Sequence, residues 1–311
     1  MRTICCLLLL VVCLPGCGQK GAGDLPGSRG ARGKAPGTVD FVNMTIPTDK
    51  LIHKGVFGPD MRAYYYTVSD TAYHHFDVYQ IEKLDRGWSV AQPAFFNSDY
   101  NEHGMSFSPD GKHLYFSSTR PTQQEGVVDT WHLWRSELVD GTWQAPEFID
   151  IPNLRDMLVS HPSISADGTL YFHVAQPDYS GMRLYQSREL DRRFAEAVPV
   201  EFPEGFTLAA CTPFVSPKGD YLFFASIGVQ LRLMISHRDG RGKWAMPRPL
   251  GDQINQQGQG NPSVTADSKW LLYTTGSHDG SNWQVNKVAL DTALMAIMGD
   301  FSMEAFAERL D

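Results

Sequence analysis

Residues 104–119 read GMSFSPDGKHLYFSST. Apolar and polar residues alternate up to Phe107, the chain turns at Pro109-Asp110-Gly111, and a second alternating run follows. Proline presets the first turn dihedral, aspartate caps the turn with its side chain, and glycine takes positive φ. The stretch is therefore a β-hairpin. The same phrase recurs as Lys54-GVFGPDMRAYYYTVS, His161-PSISADGTLYFHVA, Thr212-PFVSPKGDYLFFAS and Asn261-PSVTADSKWLLYTT. Counted between Pro59, Pro109, Ala166, Pro217 and Ala266, the copies lie 50, 57, 51 and 49 residues apart.

Two further phrases follow the hairpins. FDVYQIEKL, WHLWRSELV, MRLYQSREL, LRLMISHRD and WQVNKVAL read as third strands. Trp88-SVAQPAFF, Trp143-QAPEFIDI, Phe194-AEAVPVEF and Trp244-AMPRPLGDQI read as fourth strands, with proline at a sheet edge where a missing amide donor does no harm. Four antiparallel strands repeating every fifty residues make a propeller blade. An all-β, five-bladed β-propeller over residues 39–290 is expected, with six blades as the alternative. The fifth copy lacks a fourth strand, and residues 39–47 match that phrase. They are expected to complete the last blade and close the ring, hiding a sheet edge. Residues 291–311 space their apolar side chains as two short amphipathic helices broken at Gly299-Asp300.

Composition agrees with a folded β domain. Of 311 residues 42% are hydrophobic and 12% aromatic, while Gly and Pro stay below low-complexity levels. The formal charge of −8 is unevenly placed. Residues 18–38 carry four cations against Asp24 and seven glycines, a flexible tether of net +3, which leaves the body from residue 39 at −12. An acidic body gives duplex nucleic acid no cationic face.

Residues 1–17, MRTICCLLLLVVCLPGC, place Arg2 before an apolar run too short to span a bilayer. The segment ending at Cys17 resembles the lipobox of bacterial lipoproteins. That resemblance implies cleavage before Cys17 and its acylation, enough for stable anchoring. Gly18 in place of an aspartate implies the periplasmic side of the outer membrane. Beyond this signal the mature body keeps Cys211 alone, so no internal disulfide is expected.

Phe107-SPDGKHLYFSSTR, with Asp77-Val78-Tyr79 and Gly242-Lys243-Trp244, resembles the TolB-like, WD40-like β-propeller repeat. Copies two and three match best; Lys218 and Ser268 depart from the Asp and Gly of the turn. The resemblance implies a cell-envelope binding scaffold, a monomer with an envelope protein or glycan as partner and membrane contact through the lipid. Asp60, Asp110, Asp167 and Asp267 read as structural turn residues.

Propeller ligands sit at the axis, near the starts of the first strands and the loops joining second to third strands. The first-strand starts are His53/Lys54, His103/Gly104, Ser160/His161, Cys211/Thr212 and Gly260/Asn261, beside Glu102. The loops add His74, His75, Arg120, Tyr179 and His278. The candidate binding residues are therefore His53, Lys54, Glu102, His103, Arg120, His161, Cys211 and Asn261. They read as a hydrated rim, as a site for an anionic or carbohydrate ligand, or as a metal site of His53, His103, His161 and Glu102. Without HExxH or a cysteine pair, no metal and no cofactor are assigned. Five-bladed glycoside hydrolases carry carboxylates at first-strand starts, where this chain has none. The expectation is a non-enzymatic binding propeller, with a glycoside hydrolase or lyase as the alternative.

Overall fold

In the computed structural model, residues 50–276 and 283–300 are described. Blade one is β1 (Leu51–Phe57), β2 (Ala63–Ser69), β3 (Phe76–Glu82) and β4 (Gln92–Pro93). Blade two is β5 (Glu102–Phe107), β6 (His113–Ser118) and β7 (His132–Val139), edged by β8 (Thr142–Trp143) and β9 (Glu147–Phe148). Blade three is β10 (Leu158–Ile164), β11 (Thr169–Ala175) and β12 (Arg183–Leu190), edged by β13 (Arg193–Phe194) and β14 (Val198–Pro199). Blade four is β15 (Ala209–Val215), β16 (Tyr221–Ile227), β17 (Leu231–His237) and β18 (Arg248–Pro249). Blade five is β19 (Gly258–Val264), β20 (Trp270–Gly276) and β21 (Trp283–Ala289). All pairings are antiparallel, and the strands pair in sequence within a blade except that β7 also pairs β9 and β12 also pairs β14.

The innermost strands β1, β5, β10, β15 and β19 each touch the next, and β19 returns to β1. Side chains seal that last joint: Ser263 Oγ donates to Gly55 O at 2.7 Å, Thr274 Oγ1 to His53 O at 2.7 Å, and Trp283 Nε1 to Tyr73 Oη at 2.9 Å. Five blades therefore close a ring. The segment expected to complete blade five, residues 39–47, lies outside the described residues, as do Cys17, the tether and His278.

The fourth strand is shorter than the sequence leads one to expect. It is cut into an aromatic piece beside the third-strand end and a second piece further on, as at Trp143 and Phe148 in blade two. The second pieces pair Tyr79 with Pro93, Tyr185 with Pro199 and Met234 with Pro249. Proline cannot extend the ladder, so pairing stops after two residues.

The core lies between blades. Tyr115, Leu170 and Phe172 fill the joint of blades two and three, and Tyr171, Leu222 and Phe224 that of three and four. Among the described residues the C-terminal end holds one short helix, α1 (Leu290–Leu294), followed by 3-10 turns over Met295–Asp300, while the second expected helix, beyond Gly299-Asp300, lies outside the described residues. Leu290, Ala293, Leu294 and Ile297 bury against blades four and five.

The turn aspartates act as read. Asp110 Oδ1 accepts from Ser108 Oγ at 2.6 Å and from the Lys112 amide at 3.0 Å, and Asp167 and Asp267 repeat the pattern. Partial burial raises the Asp110 carboxyl, but the Ser108 and Lys112 hydrogen bonds prevail and hold it below the usual range. In blade four, where Lys218 replaces the aspartate, Asp220 takes the bond from Ser216 Oγ.

Candidate functional site

Each first strand carries a β-bulge at one matching place, between Ile52 and Gly55, His103 and Ser106, Ser160 and Ser163, Cys211 and Phe214, and Gly260 and Ser263. A bulge puts two successive residues where a ladder has one, and so re-aims side chains. Gly104, His161, Thr212 and Asn261 take positive φ there, at 66°, 57°, 49° and 52°. Such backbone costs of order 1–3 kcal/mol at a non-glycine residue and persists only when its surroundings impose it. The neighbouring blade imposes it here. The His161 amide donates to Ser117 Oγ at 2.9 Å, the Thr212 amide to His173 Nδ1 at 3.3 Å, and the Asn261 amide to Thr212 Oγ1 at 3.2 Å. Gly104 has its own reason: a Cβ there would stand 3.2 Å from the His161 ring.

The bulged ends surround an axial cavity of about 450 Å³, a size that suits a small-molecule ligand. One wall is a belt of rings. Trp283 neighbours His53 (6.1 Å between centroids), His53 neighbours Phe76 (5.3 Å), and Phe76 neighbours His103 (5.6 Å). His103 stands edge-on to Trp131 (3.9 Å) and to His161 (4.3 Å), and His161 stacks on His173 (4.9 Å). Blade four faces them with Ala209, Cys211, Thr212, Ala225, Ile227 and Leu231. Small and aliphatic side chains there, against rings elsewhere, leave the space.

Six of the eight sequence-predicted residues line this cavity: His53, Lys54, His103, His161, Cys211 and Asn261. Glu102 and Arg120 do not. Glu102 precedes His103 on β5 and so points to the opposite side of the strand. There it accepts from Ser98 Oγ at 2.6 Å, Ser118 Oγ at 2.8 Å and Arg120 Nη2 at 2.9 Å. Arg120 lies over Phe116 and Trp134, each about 5.2 Å away. The pair is a fully partnered joint within blade two. His74 and His75 are exposed and off the cavity, whereas Tyr179 lines it.

The residues missed are His173, Phe76, Trp131 and Trp283, which all line the cavity. Phe76 and Trp283 open β3 and β21, Trp131 directly precedes β7, and His173 lies within β11. His173 was legible as a histidine inside the apolar run LYFHVA, while the aromatics read as ordinary strand residues.

Electrostatically the cavity is close to uncharged. Burial lowers the pKa of His53, and lowers His173 to about 3. His103 and His161 fall well below the usual imidazole value through burial and mutual repulsion. Burial pushes the Cys211 thiol up to about 12, which denies it nucleophilic character. Lys54 is 1% exposed, its Nζ has no hydrogen-bond partner among the described residues, and burial lowers its pKa to about 7.

Ser160 Oγ lies 3.0 Å from His103 Nε2, 3.1 Å from His161 Nδ1 and 3.0 Å from Ser117 Oγ. This has the shape of a nucleophile and base, but imidazoles held so far below neutrality are weak bases. Asp178, exposed at the mouth, is the one carboxylate lining the cavity among the described residues. A two-carboxylate glycosidase arrangement therefore finds only one of its members here. Among the described residues no group of three His, Cys, Asp or Glu side chains is placed to hold a metal ion, the His53–His103–His161–Glu102 set included.

No protein-family model and no curated protein matches the chain. Solved structures similar to it include TolB from Acinetobacter baumannii (14% identity, TM-score 0.48), matched over 78% of this chain and 52% of TolB. The chain thus spans about half the length of that protein. An endo-arabinanase from Bacillus licheniformis is similar over 77% of this chain and 93% of its own (14% identity, TM-score 0.49). An α-L-arabinofuranosidase from Podospora anserina, solved with cellotriose, is similar over 85% and 93% (12% identity, TM-score 0.46). At such identities the likeness concerns the fold alone. The expectation that the chain is not an enzyme is corrected on this point: the similar structures include an endo-arabinanase and an α-L-arabinofuranosidase as well as TolB, so the likeness gives that exclusion no support. The chain is a five-bladed β-propeller with a ring-lined axial cavity.

Proposed function

We propose that this protein is a TolB-like propeller held at the cell envelope that recognises a small glycan fragment in its axial cavity. The observation that carries recognition is the cavity itself: about 450 Å³, walled by Phe76, Trp131, Trp283 and neutral imidazoles, and framed by strained bulges on several blades. Flat rings offer stacking surface to a sugar, and the volume admits a small ligand but not a protein loop of any size.

The envelope placement rests on sequence. Acylation at Cys17 anchors the chain, and residues 18–38 give a reach of roughly 25 Å from the periplasmic face of the outer membrane. The +3 charge of residues 18–38 is attracted by anionic headgroups, and the −12 of the body is repelled by them.

Two measurements test this. Intact mass of the protein from membranes should show diacylglycerol and a further acyl chain on Cys17, and an unmodified mature chain refutes the anchor. A thermal-shift screen of the full chain against peptidoglycan and polysaccharide fragments should find a stabilising ligand, worth about 2.7 kcal/mol at a hundred times its dissociation constant. Ala209→Trp, which fills the cavity, should abolish that shift. A shift that survives the filling puts the ligand elsewhere.

A further inference from the structure

Lys54 is a buried group that the fold leaves unexplained. Its ammonium has three donors, and Nζ uses none of them among the described residues. Native structures rarely leave a buried polar group so, and the exceptions ask for a missing partner. Among the described residues the cavity offers no anion at depth. His53 on β1, His103 on β5, and His161 and His173 on β10 and β11 are neutral by burial, and Cys211 on β15 is a thiol. Asp178 is exposed at the mouth and already accepts from the Ser180 amide at 3.0 Å. No arginine lines the cavity among the described residues.

Among the described residues the wall thus supplies one cation, set among rings. We propose that the ligand is a small ring compound bearing a single carboxylate, which pairs with Lys54 while its ring lies against Trp131 or Trp283. The proposal rests on the axial cavity being the ligand site, and specifies the charge of what enters it. One negative charge matches one ammonium. A phosphate dianion would leave a second charge unpaired in an apolar cavity, which is costly. The carboxylate holds the proton on Nζ, so an amine that is partly neutral when free takes up a proton as the ligand binds. Affinity then falls as pH rises above about 7, by up to tenfold per unit.

The test uses the full chain in detergent micelles and matched probes: benzoate against benzyl alcohol, glucuronate against glucose, and phenyl phosphate. Titration calorimetry should give each carboxylate at least tenfold tighter binding than its neutral partner, with phenyl phosphate gaining no such preference. Between pH 7 and 8.5 the carboxylate affinity should fall and the heat should differ between phosphate and Tris buffers, reporting proton uptake. Which carboxylate binds more tightly separates an arene from a sugar ring. Lys54→Met should erase the preference, with Lys54→Gln as a second variant should the first fail to fold. Equal binding of acid and neutral probes overturns the proposal and leaves the cavity as the ligand site. A preference retained in both variants also overturns it. Failure of every probe, joined to failure of the glycan screen, overturns the site itself.

Discussion

The two ends of the propeller axis are built on opposite terms. At one end the hairpin turns of blades two, three and five repeat a single solution, Ser or Thr to Asp and Asp to backbone amide, which Asp60 and Asp220 vary in blades one and four, and Pro59, Pro109 and Pro217 border a cavity of about 110 Å³. At the other end five bulges occupy equivalent places, yet their residues differ from blade to blade and surround about 450 Å³. The turn end satisfies its turn side chains locally, by bonds within each hairpin. The bulged end spends backbone strain and, among the described residues, leaves Lys54 Nζ unpartnered. Repetition marks what every blade needs to fold, and divergence at equivalent positions marks what the ring as a whole is used for.

The largest effect should come from the strand that joins the ends. A Cβ at Gly55 would stand 2.0 Å from Tyr64 Oη, and Ser263 closes the ring on the Gly55 carbonyl. Gly55→Val should cost about 3 kcal/mol or more in urea unfolding, as an overpacked core does. A loss below 1 kcal/mol would mean the first and last blades are not locked there.

Lys54→Met probes the bulged end, and the sign is the reverse. Burial lowers the folded amine from 10.5 to about 7, so the unfolded chain binds more protons across that window and wild-type stability rises with pH. The variant should be about 2–3 kcal/mol more stable than wild type at pH 7, the advantage shrinking toward pH 10. Parallel stability curves for the two proteins would show that the amine is not desolvated.

Smaller effects belong to the turn end. Asp110→Ala removes two hydrogen bonds to a partly exposed carboxylate and should lower stability by about 1 kcal/mol. The wild-type margin over this variant should fade as pH drops through the depressed carboxyl pKa, because protonation removes the same acceptor. Smallest is a gain. Ser268 holds φ at 54° where Gly111, Gly168 and Gly219 hold the same turn position, so Ser268→Gly should add about 0.5–1 kcal/mol in melting experiments. No gain there would mean that the serine makes an offsetting contact.

Much of this was readable from residues in order. The Pro-Asp-Gly turns, the fifty-residue spacing and the Tyr/Phe-rich second strands determine the blade and its number, because turn chemistry and alternation are local. His53, Lys54, His103, His161, Cys211 and Asn261 were also found by aligning copies, since equivalent positions in a ring converge on its axis. Three things required the tertiary structure. Glu102 and Arg120 align as well as their neighbours, but strand parity turns Glu102 outward into its own ion pair. His173 and the cavity-lining tryptophans lie on or directly beside strands of different blades, which meet only when the ring closes. Whether the axis is filled or hollow depends on which side chains face one another across it. Small and aliphatic residues in blade four, opposite rings in blades five, one, two and three, leave the hollow, and among the described residues Lys54 Nζ stands in it without a hydrogen-bond partner because no acidic side chain from another blade lines that depth.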